Sequence, residues 1–291
     1  MPPMVITDVQ AKILPQLTDT TFSVLRDFIY ERTGIHFLDH KKYLLEGRLC
    51  KRLQVLNMSS FEDYFRFLKY DRRADAEMKF LYDVITIKET SFFRNPPQLN
   101  AFENTIFPAL YKAAVSNGRS SLRIWSAGSS TGEEAYTLAM IYLEKLRPQF
   151  PLLEIEIIAT DISRYAIDMS QKGIYREYTV RNMPAMYNKK YMIQDDTQFY
   201  VRDEVKRLVK FECLNLYNAQ QMRQMKNFDV IFCCNVLIYF DAKSKMQVVS
   251  DFYNSLNHGG YLFIGYAETL HGISGAYKVM NLPRTITYMK E

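Results

Sequence analysis

Residues 124–136, IWSAGSSTGEEAY, decide the fold. They read as the end of a β-strand at Ser126, a turn through Gly128 and Gly132, and a helix beginning near Glu133. Glycines at such a turn let the backbone come close to a ligand, at the carboxyl ends of the strands where open α/β sheets bind small molecules. The spacing is not the dinucleotide GxGxxG pattern. Two consecutive acids, Glu133 and Glu134, would also repel the pyrophosphate that a nucleotide site draws to a helix N-terminus. They suit a ligand with ribose hydroxyls or a positive centre. Ser130 and Glu133 have in addition the S-x-x-E spacing of a capping box, which accounts for Glu133 and leaves Glu134 for the ligand.

Around this turn the pattern of strand, turn, helix, strand is that of a wound α/β sheet. Strands are predicted at 122–126, 155–160, 229–234 and 261–265, with a closing hairpin of 277–281 and 285–289 across Pro283. No glycine occurs between Gly173 and Gly259. Within that span, the apolar or alternating stretches 199–201 and 208–213 predict a small β insertion over about 175–213. Asp161 follows the second strand, in IIATDIS, where an acid accepts hydrogen bonds from ribose hydroxyls in nucleotide-binding sheets; the plainer alternative is a helix cap. In FDVIFCCNVLIYFD, residues 228–241, Asn235 interrupts a buried strand at its carboxyl end. An amide there needs hydrogen-bond partners, or else simply ends the strand as a turn residue.

Upstream, the first 85 or so residues read as helices. Phe22, Leu25, Phe28 and Ile29 recur at helical spacing behind the N-cap candidates Thr20 and Thr21, and Gly34 supplies the stop. A second helix over 41–56 places Leu45, Leu49, Leu53 and Leu56 within about 80° of one another at 100° per residue. Lys41, Arg48 and Arg52 form a basic ridge beside that stripe. Ser59 and Ser60 open a third helix, with Phe61, Tyr64, Phe65 and Leu68 facing inward. The segment IKETSFFRN, 87–95, is a linker into a helix over 97–115, for which Pro97 suits the first position. The predicted organisation is a helical domain over 1–86, a linker and helix over 87–120, and a sheet domain over 121–291.

Composition narrows the function classes. The 291 residues are 48% hydrophobic and 24% charged, which is globular and excludes disordered and fibrous chains. The longest nearly continuous apolar run, 230–240, falls short of the ~20 residues that a membrane-spanning helix needs. The N-terminus lacks the basic-then-apolar pattern of a secretory signal, so a cytoplasmic location is expected. The formal charge of +5 has no run of five basic residues behind it, which argues against a nucleic-acid partner. Cys50, Cys213, Cys233 and Cys234 show no CxxC spacing and read as buried reduced thiols, with no metal site.

Taken in order, IWSAGSSTGEEAY, TDIS with AI and GIY shortly after, CNVLIYFD and GGYLFIGYAET, preceded by TSFFR at 90–94 and the basic segment RLCKRL, resemble the chemotaxis receptor methyltransferases, the CheR family, from about Phe22 to Lys290. The resemblance implies an α/β fold: a Rossmann-like, S-adenosylmethionine-dependent methyltransferase sheet with a small β insertion, preceded by an all-helical N-terminal domain. It implies transfer of a methyl group from S-adenosylmethionine to glutamate side chains of receptor helices, giving methyl esters and S-adenosylhomocysteine. A monomer that inserts in no membrane is expected. Carried over by position, Thr90 and Arg94 line the cofactor site, and Glu134 and Asp161 bind the methionine end and the ribose. Asn215 and Leu216 flank the adenine, Asn235 and Val236 complete the pocket, and Tyr239 lies close to the transferred methyl. Arg94 and Tyr239 are thereby the residues expected at the chemistry, and the ridge of Lys41, Arg48 and Arg52 is expected to meet acidic receptor helices.

Lys88 departs from the pattern, standing where the family usually carries Asn. A cation is unhelpful near a sulfonium unless its long stem swings to solvent. Members that grip a receptor tail peptide carry a glycine-rich loop in the insertion, whereas 192–207 here has no glycine, so direct docking without a tail tether is expected. Two other readings compete. Asn95-Pro96-Pro97 is similar to the motif of base-methylating enzymes, but Gln98 replaces the aromatic residue and the triplet precedes the sheet. An S-adenosylmethionine-binding or vestigial signalling adaptor has Lys88 as its hint. Against it stand Arg94, Glu134, Asp161, Asn235 and Tyr239, polar groups that a vestigial site has no physical reason to keep.

Overall fold

The computed structural model describes residues 15–291; the reading of the first residues as lacking a secretory signal lies outside them. Two units result. Residues up to Phe28 with Phe37–Ile85 form one, and Ile29–His36 with Thr86–Glu291 form the other.

The first unit is built from the helices α1 (Asp19–Thr33, its last turn counted with the second unit), α2 (Lys42–Val55), α3 (Phe61–Tyr70) and α4 (Ala74–Ile85). α1 starts ahead of Thr20 and Thr21 because Thr18 caps it, its hydroxyl accepting the Thr21 N–H at 3.2 Å. Ser60 caps α3 by accepting the Asp63 N–H at 3.1 Å. Leu45, Leu49 and Leu53 carry the stripe of α2 into a core shared with Phe61, Tyr64, Phe67, Leu68, Leu81 and Ile85. Phe67 takes the inward place expected of Phe65, which is half-buried.

The basic ridge expected on α2 is corrected by α4. Arg52 donates from Nε and Nη2 to both carboxylate oxygens of Glu77, at 2.8 and 2.6 Å. Its guanidinium also lies 3.9 Å from the centroid of the Phe80 ring. Glu77 is 3% exposed and accepts the Tyr64 hydroxyl at 2.9 Å, so the Arg52 charge is neutralised inside the unit. Arg48 donates to the Ile85 carbonyl at 2.6 Å, which occupies one guanidinium nitrogen without cancelling its charge. Lys41 is exposed.

The second unit holds β1 (Ser121–Ala127), β2 (Glu154–Asp161), β3 (Ile174–Arg176), β4 (Met192–Asp195), β5 (Gln198–Val201), β6 (Val209–Cys213), β7 (Phe228–Cys233), β8 (Leu256–Ile264), β9 (Tyr277–Leu282) and β10 (Thr285–Lys290). Seven of them form one sheet in the order β6-β2-β1-β7-β8-β10-β9. β10 runs antiparallel to β8 and β9, while β6, β2, β1, β7 and β8 are mutually parallel. This is the mostly parallel sheet with one reversed strand that the hairpin across Pro283 predicts. β3, β5 and β4 make the separate three-stranded insertion. Residues 208–213 do not belong to that insertion: β6 pairs with β2 at the edge of the main sheet. An edge strand buried on alternate residues has the same sequence pattern as an insertion strand, so periodicity alone cannot separate them.

Successive residues of the inner strands enter opposite layers of core. Ile124, Ile157 and Val230 pack on one face, and Trp125, Ile158 and Ile231 on the other. At the amino ends of the strands, Asp229 accepts both Arg119 guanidinium nitrogens at 2.8 and 2.7 Å, the Arg123 N–H and the Asn257 amide. Among the described residues no helix is long and apolar enough to cross a membrane. All four cysteines are free; Cys233 is buried, but Cys213, at the end of edge strand β6, is exposed, correcting the expectation of burial there.

Candidate active site

The turn after β1 is held by left-handed backbone at Gly128 (φ 70°), Ser130 (φ 51°) and Gly132 (φ 94°). A Cβ on Gly128 would stand 2.5 Å from Cγ2 of Val236, so the bare backbone admits the loop that follows β7. Gly132 is the N-cap of the helix Glu133–Ile141 and makes no side-chain cap. The capping box read from S-x-x-E therefore does not form. Left-handed geometry at residues 130 and 132 turns Ser130 aside, and Glu133 accepts the Thr131 hydroxyl at 2.7 Å instead. Among the described residues the hydroxyls of Ser129 and Ser130 and Oε1 of Glu133 are buried polar atoms with no partner.

Glu134 lies one residue deeper. It accepts the hydroxyl of Ser126, a fully buried residue of β1, at 2.7 Å. Burial pushes its carboxyl up, and hydrogen bonds from Ser126 and Cys234 with the nearby Arg94 charge pull it back. Asp161 ends β2 and ties two turns together: Oδ2 accepts the Ser130 N–H at 2.9 Å and Oδ1 the Ser163 N–H at 2.8 Å. The cap of the helix Arg164–Lys172 is Ser163, which accepts the Ala166 N–H at 3.1 Å, so the plainer role weighed for Asp161 belongs to its neighbour.

The Asp161 carbonyl accepts the Leu214 N–H at 3.0 Å, drawing the segment after β6 alongside β2. Leu216 is buried there. The Asn215 side chain holds its own loop, accepting the Tyr217 N–H at 3.0 Å and donating to the Arg32 carbonyl at 2.6 Å. Asn235, with φ 62°, lies two residues beyond the end of β7 at Cys233, and Val236 leads into the short helical turn Leu237–Tyr239. Tyr239 is half-buried and its carbonyl accepts the His36 N–H at 2.9 Å. The TSFFR segment is pinned by the Phe93 N–H, which donates to the Thr137 hydroxyl at 3.1 Å. Thr90 is half-buried, and Arg94 is exposed and donates to the Glu89 carbonyl at 3.0 Å. The ammonium of Lys88 meets the Thr86 hydroxyl at 3.3 Å and the face of Tyr165, an exposed ring, at 5.7 Å.

Glu134, Asp161, the 214–216 segment, Asn235 and Val236 thus converge at the carboxyl ends of four adjacent strands, β6, β2, β1 and β7. Lys41, Arg48 and Arg52 belong to the other unit. Pattern reading misses Ser126, Gln98 and Cys234. Gln98 is buried, donates to the Ile264 carbonyl and accepts the Cys234 thiol at 3.5 Å; a polar residue in an apolar helix start was its only signal. The donor set fits S-adenosylmethionine. It offers acids for an ammonium and ribose hydroxyls, a bare Gly128 and, among the described residues, unpartnered serine hydroxyls on the turn.

Residues 88–286 match the CheR methyltransferase SAM-binding domain, and residues 20–86 match the CheR methyltransferase all-alpha domain. The chain is 33% identical over 275 residues to chemotaxis protein methyltransferase 2 of Vibrio cholerae, covering 94% of each protein. It is 35% identical over 257 residues to the chemotaxis protein methyltransferase of Borreliella burgdorferi, covering 88% of this chain and 90% of that one. The chain belongs to the CheR methyltransferase family, and is an S-adenosylmethionine-dependent methyltransferase of the chemotaxis type.

Proposed function

We propose that the protein methylates glutamate side chains of chemoreceptor-type proteins, forming methyl esters in sensory adaptation, as a monomer in the cytoplasm. The observation that carries this reading is agreement across both domains with proteins named chemotaxis protein methyltransferases. When bound, S-adenosylmethionine supplies an electrophilic methyl on a sulfonium. In this reading Glu134 holds the ammonium of the methionine end and Asp161 the ribose hydroxyls. Leu216 flanks the adenine with apolar surface, and Asn215 does so through its backbone, because its side chain is engaged in its own loop. Asn235 and Val236 close the pocket, with Thr90 and Arg94 along its rim. A glutamate acceptor, which in water loses its proton at about pH 4.3, is already an anion at neutral pH and needs no general base. What remains is alignment for an in-line displacement. Arg94 orients the acceptor carboxylate by a fork-like contact, and Tyr239 hydrogen-bonds beside the methyl. Removing one positioning group should lower the rate without abolishing it.

The test uses S-adenosylmethionine with a labelled methyl and the cytoplasmic fragment of a chemoreceptor. Label released as methanol by mild base is expected; base-stable label would overturn the ester assignment. Cofactor binding without any transfer would leave the adaptor reading in its place.

Asp161→Ala is expected to weaken S-adenosylmethionine binding by about 1.5–3 kcal/mol, the range for a hydrogen bond to a charged group. Because Asp161 also holds the N–H groups of Ser130 and Ser163, Asp161→Asn is measured beside it, at a temperature where both are folded. Unchanged affinity by calorimetry would remove Asp161 from the cofactor site. Docking is assigned to Lys41 and Arg48, since Glu77 neutralises Arg52. Charge reversal at both is expected to slow methylation of an acidic receptor fragment at low salt and to leave cofactor affinity unchanged. Equal rates at low salt would discard the ridge. Direct docking is assumed to need no tail peptide; a receptor tail peptide bound at low-micromolar affinity, and released by altering the insertion, would reverse that assumption.

A further inference from the structure

Glu268 has no part in the roles above, yet its carboxylate gathers the loop that carries Asn235 and Tyr239. Oε2 accepts the Asn235 N–H at 3.0 Å and the Gly265 N–H at 2.5 Å, and Oε1 accepts the Ile238 N–H at 3.0 Å. Two of these donors, those of Asn235 and Ile238, stand immediately before Val236 and Tyr239 respectively, so they hold the stretch that carries the residues assigned to the cofactor and to the methyl. Backbone N–H groups that converge on an anion form a nest, and bonds to a charged acceptor are stronger than neutral ones.

The local sequence explains how one side chain reaches all three. The Glu268 N–H donates to the Gly265 carbonyl at 2.9 Å, closing a turn that folds the carboxylate back toward the end of β7. Gly265 leaves the room. A Cβ there would stand 2.7 Å from Glu268 Oε2 and 2.8 Å from the Asn235 nitrogen. Asn235 is in the left-handed region, which Asn adopts at a cost unless its surroundings hold it. The carboxylate bond to its N–H is such a hold. Val236, next in the chain, packs against the bare Gly128, so the loop's conformation is registered directly against the first glycine turn.

We propose that Glu268 is a positioning residue for methyl transfer. Its carboxylate fixes the backbone of residues 235–239, and through it the placement of Asn235 toward the cofactor and of Tyr239 toward the transferred methyl. The inference rests on the roles assigned to Asn235 and Tyr239 under Proposed function.

The test is Glu268→Gln, which keeps the shape but leaves one acceptor oxygen and sets an amide N–H against the loop's donors. Calorimetry with S-adenosylmethionine and methylation kinetics with a receptor cytoplasmic fragment are run below the unfolding temperature, with Asn235→Ala in parallel. The expected result is a Kd for S-adenosylmethionine raised about tenfold or more. A lower kcat should accompany it, with KM for the receptor fragment unchanged. Glu268→Asp, which keeps the charge one methylene short, should recover part of both losses while still differing from wild type. A side chain that serves only stability would lower the melting temperature and leave Kd and kcat alone, and that outcome overturns the inference. Wild-type values in Glu268→Gln with Asn235→Ala impaired remove Glu268 and spare the assigned roles. Wild-type values in both variants remove the roles as well. Should Glu268→Gln not fold, Glu268→Asp decides, and unchanged Kd and kcat in it overturn the proposal.

Discussion

Arg52→Ala is expected to destabilise the helical unit by about 3–5 kcal/mol, the cost of leaving one partner of a buried ion pair unpaired. The side chain of Arg52 is 17% exposed and that of Glu77 3%, so water does little to rescue the carboxylate left behind. Tyr64, fully buried, keeps donating to Glu77, but one neutral donor does not replace a bidentate guanidinium. Loss of the stack on Phe80 adds to the deficit. Trp125, the one tryptophan of the chain, lies in the other unit. Unfolding of the helical unit should appear in far-UV circular dichroism at a lower urea midpoint. Replacing Arg52, Glu77 and Tyr64 together by Met, Leu and Phe should recover most of the stability, because no buried charge then lacks a partner. A midpoint for Arg52→Ala within error of wild type would mean that the pair is solvated and that Arg52 is available to a partner.

The same arginine shows where sequence reading stops. Helical periodicity places Arg52 beside the leucine stripe of α2, but the acid that captures it is 25 positions away on α4, a pairing that no local pattern encodes. The strand–turn–helix of residues 124–136 is legible because both glycines, both acids and the apolar strand act over thirteen consecutive positions. Its capping box is misread because S-x-x-E spacing is blind to the left-handed backbone at Ser130 and Gly132. The assignment of 208–213 to the insertion fails for a related reason, since a short strand at the edge of the main sheet and one in the insertion share the same local pattern. Cys234 and Glu268 stay hidden because their partners lie far along the chain, Gln98 136 positions from Cys234 and Asn235 33 positions from Glu268. What is legible is what the chain builds from adjacent residues; what is not depends on partners that only the fold brings together, as Glu77 to Arg52 and the loop after β7 to Glu268.

Glu133→Gln is expected to raise the stability of the methyltransferase unit at pH 8 and to leave it nearly unchanged near pH 4.5. Glu133 is 1% exposed, accepts one hydroxyl, from Thr131, and has no partner on Oε1 among the described residues. Burial pushes its carboxyl up to about 7, opposed only in part by the Thr131 hydroxyl and a backbone hydrogen bond. Tyr175, the titratable group across from it, donates its hydroxyl to the Thr131 carbonyl at 2.7 Å and is itself held protonated by burial and by the Glu133 charge. With a folded pKa above the unfolded one, the native state keeps a proton that the unfolded chain releases, so stability falls as pH rises between about 4.5 and 7. Below that window both states are protonated and the group contributes no difference. Above it the native state carries a buried carboxylate, and the accumulated loss is about 3 kcal/mol. Glutamine keeps an oxygen for the Thr131 hydroxyl and never ionises. Urea midpoints read by Trp125 fluorescence at pH 4.5 and pH 8 give the two differences directly, since the midpoint moves with stability when the slope is unchanged. A variant less stable than wild type at pH 8, or one displaced equally at both pH values, would show that Glu133 is stabilised as an anion by contacts other than these. If instead the gain appears at pH 8 and methyl transfer falls, Glu133 is a carboxylate that this fold keeps against its own stability, as functional sites do.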